Sequence, residues 1–116
     1  MTVRGYLPTT LRMLREYVAA GQITVDHGLV VASEDSEDAE YAALCEAADL
    51  SAGLVAREGA RGRRVVVVVE AAEPERAIQL REVVAVQADT TEVDPYDEDP
   101  VELAWFATQE IADLLR

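Results

Sequence analysis

Five consecutive valines, Val65 to Val69, follow Arg63-Arg64 near the middle of the chain. Branching at Cβ favours an extended backbone, and an apolar run without alternation belongs to a strand buried on both faces. A sheet with one wet face would alternate polar and apolar residues. The run therefore predicts helical layers on both sides of the strand, the arrangement usual for parallel sheets.

The rest of the chain is read around that strand. Thr2 to Leu7 forms a strand closed by Pro8. Thr9 is a plausible N-cap for a helix carrying Leu11, Leu14, Tyr17 and Val18 at helical spacing, with Gly21 as its left-handed C-cap. Ile23 to Ala32 is β-branched enough for a second strand. The acidic stretch Ser33 to Asp38 then leads into a helix from about Asp38 to Glu58, since acids are favoured at helix N-termini. Its apolar stripe is Tyr41, Leu44, Cys45, Ala48, Ala52 and Val55.

Past the valines, Arg76 to Leu80 is a short strand or connector, and Val83 to Ala88 is a strand nearer a sheet edge. Asp89 to Asp99 reads as an acidic surface loop. Asp99-Pro100-Val101-Glu102 spells a capping box that opens a C-terminal helical region, interrupted near Ala107-Thr108. The predicted fold is one α/β domain over residues 1–116, a small layered sheet of about four strands, mostly parallel, with three helices in the order β-α-β-α-β-β-α.

Composition narrows the function classes. The chain has 116 residues, half of them hydrophobic, which suits one self-supporting core. A lone cysteine closes no intrachain disulfide, and the start has neither the basic stretch nor the apolar run of a signal peptide. The longest apolar run is far short of the ~20 residues that span a bilayer. A cytoplasmic location is expected. A net charge of −13 opposes approach to nucleic acid and to anionic membranes. All ten cations are arginine, and lysine and asparagine are absent, which points to a GC-rich genome.

Catalytic chemistry finds little support. Cys45 with His27 is the only Cys–His dyad available, and mid-helix on the inward stripe Cys45 reads as a small buried hydrophobe. No zinc pattern or EF-hand loop occurs, no pair among the 23 acids stands out, and no motif implies a cofactor or metal. One turn suits an anion: Thr9 and Thr10 join a strand to a helix N-terminus, although capping alone accounts for a threonine there. In a parallel sheet Arg61, Arg63 and Arg64 would lie at the opposite end from that turn.

Seven acids lie between Asp89 and Glu102 with no arginine among them, and the only tryptophan and only phenylalanine follow at Trp105 and Phe106. Core packing is the usual explanation for such a pair; otherwise aromatics beside carboxylates make a docking surface for a basic protein partner, with Asp94, Tyr96, Asp97, Glu98, Asp99 and Trp105 as its residues. The expected function is a non-catalytic protein-binding or regulatory domain. The alternative is a small-ligand or anion-binding domain, enzymatic or not, with its pocket by Thr9 and Thr10. A homo-oligomer is compatible with either.

Several segments carry a family likeness: Tyr6-Leu7-Pro8 with Thr10-Leu11 and Leu14-Arg15-Glu16; Glu40-Tyr41-Ala42-Ala43-Leu44 with Ala47-Ala48; Arg63-Arg64 before the valines; and Glu102 through Ile111. By these the chain resembles a family of short actinobacterial proteins known as a domain of unknown function. Thr108 stands where the family pattern has proline, which leaves a turn there open. The resemblance implies no activity, ligand or site residue.

Overall fold

The computed structural model describes residues 2–59, 61–74, 76–97 and 102–116. In chain order the elements are strand β1 (Val3–Thr9), helix α1 (Leu11–Ala20), strands β2 (Gln22–Ile23) and β3 (Val30–Val31), helix α2 (Glu37–Glu58), and strands β4 (Val65–Ala71), β5 (Ile78–Gln79), β6 (Val83–Ala88) and β7 (Ala104–Phe106). A short helix, α3 (Ile111–Leu114), ends the chain.

The valine strand lies where its sequence requires. Val65, Val67 and Val69 point into one core with Leu7, Leu14, Ile23, Ile78, Val86 and Leu114. Val66 and Val68 point into another with Tyr6, Val30, Ala43, Ala47 and Ala48. Helices cover both faces, α1 and α3 on the first and α2 on the second.

The expected mostly parallel sheet of about four strands is overturned. The main sheet has five strands in the order β3-β1-β4-β6-β7, every neighbouring pair antiparallel, and β2 and β5 form a separate two-stranded ribbon. Continuous apolarity reports burial on both faces and says nothing of strand direction. The strand–helix–strand unit β3-α2-β4 does make two parallel strands, since both run antiparallel to β1. But β1 lies between them, so they never pair.

Four local expectations change as well. Ile23 to Ala32 is not one strand: its start joins the ribbon and its end forms the sheet edge β3, with Gly28 at φ 90 in the connecting bend. Pro8 does not end β1 but pairs opposite Val66. It is tolerated because β3 pairs only with Gly5 and Tyr6, which leaves that side of β1 open at a residue without an N–H. The strand β6 is interior, and the edge beyond it is β7, where residues expected to be helical pair as Gln87 with Trp105. The capping box proposed for Asp99 to Glu102 falls mostly outside the described residues.

Caps fix the helices. Thr10, not Thr9, caps α1: its Oγ1 accepts from Met13 N at 3.2 Å. Gly21 takes the left-handed φ of 82 that closes the helix. Ser36 caps α2, followed by Glu37, Asp38 and Glu40 in the first turn. The buried Ser51 of α2 ties the layers together, donating to Thr9 O at 2.7 Å and accepting from Val65 N at 2.8 Å.

Candidate functional site

Helix α2 is apolar on two adjacent stripes. The stripe through Ala43, Ala47, Ser51 and Leu54 is buried. Alanine lets the helix lie close upon β1, β3 and β4. Of the expected stripe, Ala48 and Val55 are buried, whereas its N-terminal part is turned to the flank: Tyr41 is 57% exposed, Leu44 is half-buried, and Cys45 is exposed rather than buried.

That flank faces the part of the sheet which α2 does not cover. Directly opposed residues of an antiparallel pair share a face. Val66 pairs with Gln87 and Gln87 with Trp105, so Trp105 lies on the α2 side, 60% exposed on the edge strand β7. Between helix and strand run two adjoining hollows of about 320 Å³ each, which share Tyr41, Leu44 and Gln87. Val68, Val84 and Ala85 line one with Trp105; Cys45, Ala48 and Leu103 line the other. The result is a groove of mixed lining, apolar over Val68, Val84, Ala85 and Leu103 and polar at Gln87, flanked by two aromatic side chains.

Its border is charged. Glu40, Asp49 and Glu102 supply the acids. Of the bordering cations, Arg4 pairs with Glu70 at 3.1 Å and reaches Glu40 at 3.9 Å, and Arg64 is locked on Asp89. The Tyr41 hydroxyl is held above the usual phenol range, first by its interaction with the neighbouring Cys45 and then by the negative charge of Glu102. A phenol titrates above neutral pH even unperturbed, and a raised pKa keeps the hydroxyl a neutral donor.

Of the residues expected to bind a partner, Trp105 stands in the groove. Asp94, Tyr96 and Asp97 lie in the connection between β6 and β7 and line neither hollow. That connection is tethered by a bridge between Gly62 and Val93, and Asp94 Oδ1 accepts from Tyr96 N at 2.9 Å, leaving the Tyr96 ring 76% exposed. Glu98 and Asp99 are outside the described residues. The sequence pointed to Trp105 but missed Tyr41 and Leu44 as its neighbours, although their i, i+3 spacing beside the alanine stripe was the available signal.

Other expected chemistry is dispersed. Cys45 lines the groove, while His27 lines a separate hollow beside Leu50, Gly53 and Arg57. Among the described residues the one buried carboxylate is Asp89, whose oxygens accept from Arg64 Nη2 at 2.7 Å, Nε at 2.9 Å and the backbone N at 2.8 Å. Among the described residues no group of three or more His, Cys, Asp or Glu could hold a metal ion, and no helix is long and apolar enough to cross a membrane.

Thr9 is fully buried, with its carbonyl engaged by Ser51. The Thr10 hydroxyl donates to Glu58 Oε2 at 2.7 Å, so the carboxylate at the start of α1 belongs to the chain itself. Because β1 and β4 are antiparallel, Thr9 pairs with Val65, and Arg63 and Arg64 lie at the same end as that turn, not the opposite one.

A five-stranded antiparallel sheet covered by helices on both faces, with an open groove beside one helix, defines the chain as a mixed α/β domain. From residue 3 to residue 115 it matches DUF6912, a family of unknown function, and it belongs to that family. No curated protein and no solved structure matches it.

Proposed function

We propose that the chain is a non-catalytic, cytoplasmic protein-binding domain of an actinobacterium, and that the groove between α2 and β7 receives a basic segment of a partner protein. The observation that carries this reading is the pair Tyr41 and Trp105, both more than half exposed across the groove. Large aromatics are costly to leave in water, and Tyr and Trp are the residues that most often dominate binding energy at protein interfaces. The acids at the border and the net charge of −13 favour a cationic partner and raise its encounter rate. Asp94 and Asp97 extend that field along the neighbouring connection. The same charge disfavours nucleic acid and anionic membranes.

Affinity capture at low salt with mass-spectrometric identification tests the proposal, run in parallel with Trp105→Ala and Tyr41→Ala. A basic protein held by the parent chain should be lost from both variants. It should also elute as the screening length falls toward ~3 Å at 1 M salt. Titrating the purified partner should then shift the fluorescence of Trp105, the only tryptophan. Capture that neither substitution weakens, or that persists undiminished through the salt series, overturns it.

A further inference from the structure

At the opposite end of the molecule's charge balance lies a hollow of about 460 Å³ lined by Arg12, Arg15, Arg61, Arg63 and Arg116. These are five of the ten cations of a chain carrying 23 acids, and only two glutamates, Glu58 and Glu92, join them there. The arginines come from three separate stretches: α1, the segment entering β4, and the end of the chain. Only the antiparallel pairing of Thr9 with Val65 brings the first two together. Arg15 draws in the third, donating to Leu115 O from Nε at 3.1 Å and from Nη2 at 2.9 Å.

Two of the five charges are neutralised within the chain. Arg12 grips Glu58 and Glu16 at 2.9 Å each, and the Glu58 charge holds its guanidinium still more firmly protonated. Arg116 pairs with Asp113 at 3.2 Å. The remaining three have no carboxylate partner among the described residues: Arg15 and Arg61 donate to backbone carbonyls, and Arg63 makes no hydrogen bond or ion pair. Like charges gathered in one concavity repel one another unless an anion is shared between them. In so acidic a chain, carboxylates to quench them were abundant.

We infer that this hollow binds a phosphate-bearing small molecule with at least two phosphoryl groups. The planar guanidinium fork matches phosphate oxygens two at a time, and three guanidinium charges without a carboxylate partner among the described residues, only that of Arg63 free of any hydrogen bond, exceed what one monoanion neutralises. The volume is that of a small-ligand site. Glu58 already occupies the start of α1, so the ligand meets arginine side chains rather than the helix terminus. A compact ligand feels the local cluster within a screening length of ~8–10 Å, whereas an extended nucleic-acid backbone must also face the acids beyond it. This site is separate from the α2–β7 groove and does not depend on it.

Calorimetric titration of the full chain with tripolyphosphate at low ionic strength decides the matter. Tripolyphosphate should bind, and the double substitution Arg61→Ala/Arg63→Ala should weaken it at least tenfold, with the thermal transition of the variant showing that it is folded. Arg81→Ala, an exposed arginine elsewhere, and Trp105→Ala should leave the affinity unchanged. Several results would overturn the inference: no heat at millimolar ligand, equal binding by the double variant, displacement by sulfate or citrate at equal concentration, or tighter binding of a single-stranded oligonucleotide.

Discussion

Val67 and Val66 are neighbours in one strand, yet they face different kinds of core. Val67 lies among long aliphatic side chains from α1, β2, β5 and α3, which cover that side of the sheet. Val66 lies under the alanines of α2, and beyond it toward β7 the same face is open. Large side chains fill the space between sheet and helices and seal it. Small ones bring one helix very near the strands beneath, but they leave nothing to reach across to β6 and β7. The sealed face supplies stability; the half-covered face supplies the groove.

Substitutions can break this contrast at either face. The largest effect is expected on the sealed side: Leu14→Ala removes a side chain only 1% exposed, and should destabilise by about 2–5 kcal/mol in chemical denaturation. On the alanine side enlargement should do the damage. Ala47→Leu has no room between α2 and the sheet and should cost about 1–3 kcal/mol, with loss of packing against Val66 and Val68. If Ala47→Leu is instead neutral, α2 is not held by close approach and the account of the open groove fails. Smallest of all is Trp105→Ala, which should change stability by no more than about 0.5 kcal/mol while abolishing partner capture. Phe106→Ala, one residue along but packed against the sealed core, should cost clearly more. Equal costs for the two would mean that β7 does not separate the faces as described.

How much could be read from the chain beforehand depends on how local each feature is. The burial of Val65 to Val69 on both faces, the Gly21 cap and the helix that ends at Glu58 follow from side-chain type and spacing within a few residues. So does the reading of Trp105 as a surface candidate. Residues Ala104 to Phe106 were misread as helical because three apolar residues after an acidic turn fit either element, and only pairing with Val86 to Ala88 makes them a strand. The buried stripe of α2 was read correctly at Ala48 and Val55 but missed at Tyr41 and Cys45, for a related reason. With alanine at Ala42, Ala43, Ala47, Ala48 and Ala52, apolar periodicity supports more than one face, and the sheet selected the smallest.

The arginine hollow shows the same limit from the other side. Placing Arg63 opposite Thr10 was a consequence of assuming parallel strands, and the reversal of one strand pair carries both to the same end of the sheet.

What the chain alone determined is the environment of each stretch: valines that must be dry on two sides, a strongly acidic exterior, and helices with definable ends. Those are properties of side chains and their immediate neighbours. Tertiary structure decided which strands lie side by side and in which direction, and with that the groove and the cluster of arginines. The reason is that strands pair through backbone N–H and C=O groups that almost every residue carries alike, so partner and direction are chosen only when all layers are packed together.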